Sequence, residues 1–110
     1  MKDDSLYLIH IGECIERIEK YTKMGKDDFV LNQLTQDAVM RNLQTLAEST
    51  KRLSDSFKTS HPEVDWKGIA GFRNVAVHDY LGIDPLRIWD IVQKDIPDLK
   101  LKITPLIPKR

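Results

Sequence analysis

WKGIAGFRNVAVHDY, residues Trp66 to Tyr80, reads as a helix. Ile69, Phe72 and Ala76 recur at spacings of three and four, with Ala70 and Val77 beside them, the repeat of one helical face. Asp65 stands where an N-cap belongs, and Gly82 stands where a helix stops. On this frame sit Arg73, Asn74, His78, Asp79 and Tyr80. Asn74 and His78 are four residues apart and share a face. Arg73 and His78 are five apart, about 140° round an ideal helix, a gap that a long arginine can close. A fixed cation beside a titratable imidazole suits phosphoryl chemistry. The guanidinium binds phosphate oxygens, and the imidazole exchanges protons near neutral pH. By itself such a pair is more often a surface cation and a partly buried, hydrogen-bonded ring.

Downstream, Asp84-Pro85 is an N-cap followed by proline at the first helical position. Leu86, Ile88, Trp89, Ile91 and Val92 carry a helix to about Asp95, where Pro97 breaks or kinks it. A last helical piece covers 98–104, and Pro105 and Pro108 fray the end. Upstream, Lys58 to Val64 is a connector. Pro62 steers His61 away from helical angles, which makes His61 a loop residue. Before it, a long helix runs from about Leu34 to Phe57. Its seam is Val39, Leu43, Leu46, Thr50, Leu53 and Phe57, flanked by Met40 and Ala47.

The first helix covers residues 3–24, capped by Asp3, Asp4 or Ser5. Tyr7, Ile11, Cys14, Ile18 and Tyr21 step by four and three, and Leu8 and Ile15 widen the stripe. Cys14 is a small core residue on this reading. His10 has no cysteine or histidine at ligand spacing and is a surface or partner-facing residue. Gly25 ends the helix, GKDD is a turn, and residues 28–33 read as a short helical turn.

The chain has 110 residues, 17 basic and 17 acidic side chains and one cysteine. No global basic field announces a nucleic acid, although residues 1–50 lean acidic and 51–110 lean basic. The lone cysteine fits a reducing cytoplasm, no apolar run approaches a membrane span, and the N-terminus does not read as a signal peptide. With no strand signal and no repeat, the expectation is one all-α domain over residues 1–110. It would be an up-down helical bundle of about four to five main helices. Apolar surface left at Tyr21, Met40 or Trp89 would favour a homodimer.

The order Arg73, four residues, His78, one residue, Tyr80 matches the R-x4-H-x-Y motif of HepT-like toxins of the HEPN superfamily, which the chain resembles. The likeness extends through RNLQTLAESTKRL (41–53), HPEVDWKGI (61–69) and RIWDIVQKDIP (87–97), most of the chain in the expected order. The resemblance implies a HEPN-like bundle and a metal-independent endoribonuclease. His78 would be the general acid/base, and Arg73 would hold phosphate and stabilise the transition state. Asn74 and Asp79 would support them, Asp79 less directly because adjacent helical residues diverge. A dimer would set two Arg/His pairs around one cleft, and the RNA product would carry a 2′,3′-cyclic phosphate. Arg41 and Asn42 fall in a matching segment. They either line an RNA or partner groove or face solvent and the dimer.

The resemblance also implies a partner, an MntA-like minimal nucleotidyltransferase antitoxin that moves AMP from ATP to Tyr80. The chain itself would need no cofactor and no metal. Without that role, Tyr80 is an amphipathic residue capping the core. The alternative function is a non-catalytic HEPN binding module that partners a nucleotidyltransferase.

Overall fold

The structure, a computed structural model, describes residues 4–77 and 84–108, and of residues 74–77 only the backbone. All regular structure among them is helical: α1 (Asp4–Tyr21), α2 (Lys26–Leu31), α3 (Gln33–Arg52), α4 (Asp55–Ser60), α5 (Trp66–Val77), α6 (Pro85–Asp90), a π-helical turn (Ile91–Asp95), α7 (Ile96–Ile103) and a closing 3₁₀ turn (Thr104–Leu106). The expected all-α bundle is what forms.

The predicted seams become the core. On α1, Leu8, Ile11, Cys14, Ile15 and Ile18 are buried. On α3, Val39, Met40, Leu43, Leu46, Ala47 and Thr50 are buried, so two sides of that helix are covered at once. α1 packs along one side and α5 along another. Each large aliphatic side chain in such a core contributes about 1.5–3 kcal/mol by leaving water. Burial pushes the Cys14 thiol up, as fits a core residue rather than a nucleophile.

The first joint lies between α1 and α3. Gly25 adopts φ +92°, the left-handed region where a side chain would be strained. It launches α2 directly, so most of the expected GKDD turn is helical. Asn32 then both ends α2 and caps α3, its side-chain oxygen accepting from the Thr35 N–H at 3.1 Å. Buried Gln36 donates its amide to the carbonyls of Phe29 and Val30, at 2.8 and 3.0 Å, near the open end of α2.

The long helix expected to reach Phe57 stops at Arg52. Leu53 and Ser54 take extended angles, and α4 restarts on Ser54. Two contacts of Ser54 hold the break, one local and one fifty residues away. Asp4, at the start of α1, accepts from the Ser54 N–H at 2.9 Å and from its hydroxyl at 2.7 Å. The same hydroxyl accepts from the Phe57 N–H at 3.2 Å and so caps α4. His61 lies just past α4 at non-helical angles, as expected, with its ring 4.7 Å from that of Phe57.

Pro97 was expected to break or kink the last helix, and it does not break it. Helical structure continues from Pro85 to Ile103. Proline lacks an N–H, and its ring crowds the carbonyl four residues back. One turn widens to absorb this, and the Ile96 N–H reaches the Ile91 carbonyl. Ile88, Ile91, Val92, Ile96, Leu99 and Ile103 all stay buried.

Of the residues expected to leave apolar surface, Met40 leaves little and Trp89 only part of its ring. Met40 is buried, and half-buried Trp89 packs on Phe29 with ring centroids 5.4 Å apart. Tyr21 is exposed, as expected, but the most exposed large apolar side chains are Leu31, Leu34, Met24 and Leu101.

Replacing Ser54 with alanine removes a cap and its tie to Asp4 together. Urea unfolding should show a loss of about 1–2 kcal/mol. A change within error would mean that the joint is held by packing alone.

Candidate active site

Helix α5 begins at Asp65, whose carboxylate accepts from the Gly68 N–H at 3.0 Å. A side chain at position 68 would run into that carboxylate. Ile69 and Phe72 anchor the buried face. Arg73, one residue past Phe72, turns about 100° away, to the edge of the packed face. There its Nε lies 3.1 Å from Glu48 Oε1 on α3. Both side chains are substantially exposed, 48% and 37%, so the pair orients the guanidinium more than it stabilises the fold. Among the described residues the two terminal nitrogens of Arg73 have no polar partner.

Arg73 lines a cleft of about 330 Å³ between α3, α4 and α5. Glu48, Thr50 and Lys51 come from α3, Lys58 from α4, and Trp66 and Ala70 from α5. The indole N–H of Trp66 donates to the carbonyls of Lys58 and His61 at 3.0 and 2.9 Å. Trp66 therefore ties the end of α4 to the start of α5 and fixes the backbone that carries Lys58. Among the described residues three cations face this cleft against one carboxylate, and that carboxylate is engaged with Arg73.

A smaller cleft, about 90 Å³, opens between α5 and the α7 region and has the opposite character. Asp65, Asp95 and Asp98 line it, with Lys102 the one cation among the described residues. Burial first, then repulsion from Asp65 and Asp98, holds the Asp95 carboxyl above its ordinary range. Such a surface repels phosphate.

The other expected site residues are distributed as follows. Asn74 lies on α5, next to Arg73, and its side chain is outside the described residues. His78, Asp79, Tyr80 and the expected helix stop at Gly82 are also outside them. Arg41 is exposed on α3. Asn42, its neighbour, is buried and donates its amide to the Ala38 carbonyl at 2.9 Å. Glu48, Lys51 and Lys58 were not expected at the site. They are 25, 22 and 15 residues before Arg73, with no local spacing to connect them.

The family profile described as "Ribonuclease HepT-like" matches residues 11–106. The chain belongs to the HepT-like ribonuclease family. Among its relatives, "Probable ribonuclease HepT" of Thermococcus cleftensis is 40% identical over 101 residues, covering 91% of this chain and 92% of the relative. "Putative RNase" of Caldanaerobacter subterraneus is 34% identical over 110 residues, 99% of this chain and 98% of the relative. A longer protein of Methanocaldococcus jannaschii, "Gamma-glutamylcyclotransferase and putative RNase", is 41% identical over 103 residues. That match takes in 93% of this chain but 46% of the relative. No solved structure matches. No helix among the described residues of this HepT-like chain is long and apolar enough to cross a membrane.

Asp95 makes the charge of the acidic cleft testable. A carboxyl whose pKa is raised on folding costs stability when ionised at neutral pH, and the cost fades as pH falls through the carboxylate range. Asp95→Asn should therefore be slightly more stable than the parent at neutral pH, by less than about 1 kcal/mol because the group is largely exposed. The two should converge in acid. Urea unfolding across pH checks this, and a variant that is less stable at neutral pH contradicts it.

Proposed function

We propose that this chain is a metal-independent endoribonuclease toxin, neutralised when a nucleotidyltransferase antitoxin transfers AMP to Tyr80. The observation that carries the reading is Arg73. The motif's cation is held through Nε by Glu48 and, among the described residues, its remaining N–H groups are open beside a cleft lined by Lys51 and Lys58. That is how a guanidinium is presented to a phosphate. Family membership and relatives named as ribonucleases support RNA as the substrate.

RNA carries its own nucleophile. A base removes the proton of the 2′-hydroxyl, and the oxygen attacks the adjacent phosphorus. The bond to the 5′-oxygen breaks, and that oxygen takes up a proton, leaving a 2′,3′-cyclic phosphate. His78 is the general acid/base, with Asn74 and Asp79 in support. Arg73 binds the phosphate and stabilises the charge that builds on its oxygens. One histidine does not readily serve as base and acid at once, so two chains contribute their Arg/His pairs to a shared cleft. In the antitoxin's reaction, the Tyr80 hydroxyl attacks the α-phosphorus of ATP and pyrophosphate leaves. The adenylate adds bulk and negative charge to the motif that holds Arg73, which opposes RNA phosphate.

The deciding experiment is cleavage of mixed tRNA and mRNA in EDTA, after intact mass shows that Tyr80 carries no adenylate. The unmodified protein should cut. His78→Ala should be slower by about 10²–10⁴ with its fold unchanged. A folded, unmodified protein that cuts neither RNA class would sink the toxin reading and leave a non-catalytic binding module.

A further inference from the structure

We infer that Lys51 and Lys58 form a second phosphate subsite in the cleft beside Arg73, one that holds the backbone of single-stranded RNA next to the scissile phosphate. This rests on the ribonuclease reading above and specifies where its substrate lies.

Charge is the first observation. The whole chain is electrically neutral, with 17 basic and 17 acidic side chains. Among the described residues the cleft departs from that balance, with Lys51, Lys58 and Arg73 facing Glu48. Glu48 is paired with the Arg73 Nε. Two other lysines have carboxylate partners, Lys100 with Glu19 and Lys102 with Asp98, each at 3.0 Å. Among the described residues, Lys51 and Lys58 pair with no carboxylate.

Placement is the second. Lys58 is half-buried, and its backbone is fixed by the Trp66 indole, so part of the cost of ordering a lysine is met before a ligand arrives. Lys51 lies one helical turn beyond Glu48 on the same side of α3, in line with the Arg73 pair. The cleft is near the lower limit for ligand pockets, about 300 Å³, which suits one nucleotide of a single strand and not a duplex. The other side of α5, with Asp65, Asp95 and Asp98, repels a polyanion and leaves the α3 side as the path for the strand.

The test uses the full chain, free of adenylate, and a fluorescent single-stranded RNA with 2′-O-methyl groups, which binds but cannot be cut. Affinity is measured across a salt series. Lys51→Gln with Lys58→Gln should weaken binding about tenfold or more and lower the salt slope by roughly 1.4, two contacts at about 0.7 each for a single strand. On cleavable RNA, KM should rise while kcat holds, because the contacts lie away from the reacting bonds. Lys51→Arg with Lys58→Arg should retain the slope. Lys20→Gln with Lys23→Gln, at the far end of α1, should have little effect. An unchanged affinity and slope in the first pair, or an equal loss in the distant pair, overturns the subsite. If the parent cuts RNA in either case, the ribonuclease reading stands without it. If the parent neither binds nor cuts RNA, both fail.

Discussion

Helix α3 must be covered on two sides at once, by α1 and by α5, and the other parts of the bundle follow from that constraint. A helix with Val39, Met40, Leu43, Leu46, Ala47 and Thr50 buried offers an apolar arc too broad for one neighbour. The polar groups inside that arc satisfy themselves locally. Thr50 and Asn42 donate to carbonyls of their own helix, at 2.9 Å each, and Gln36 turns to the end of α2. The arc is therefore closed without an unpaired buried side chain among the described residues.

The same packing sets the chemistry. Ile69 and Phe72 fix the rotation of α5 on α3, and that rotation brings Arg73 to the rim where Glu48 stands. A rim position suits a residue that must meet a large anion. It is firmly held by its neighbours' burial, yet its own charge stays in water, where it costs little. The break at Leu53 and Ser54 matters for the same reason. Had α3 continued to Phe57, Lys58 would have extended along the α3 axis. The restart of α4 instead folds Lys58 back beside Trp66 and across from Lys51.

Much of this was legible in the residues. The burial of Ile11, Cys14 and Ile18, and of Val39, Leu43 and Leu46, follows from spacings of three and four. The Asp65 cap and the Asp84-Pro85 start were visible because a cap is a contact between near neighbours. What was not legible depended on residues far apart. Asp4 ties the break after α3 through Ser54, across fifty positions, and no local spacing announces that tie. Phe29 covers Trp89 from another helix. Pro97 has a local signal, but whether proline breaks a helix or widens one turn depends on the apolar face around it. Here Ile91, Ile96 and Leu99 hold both halves against the core.

By itself the sequence determined that the chain is all-helical, which faces are apolar, and that Arg73 belongs to a motif of the HepT-like family. These rest on periodicity and order, which are one-dimensional properties. The tertiary structure decided which carboxylate holds Arg73, which side of α5 is basic and which acidic, and that Lys51 and Lys58 share a cleft with it. Electrostatic interaction depends on separation in space. Side chains 15 to 25 residues apart in the chain acquire a common field only when helix packing brings them to one surface.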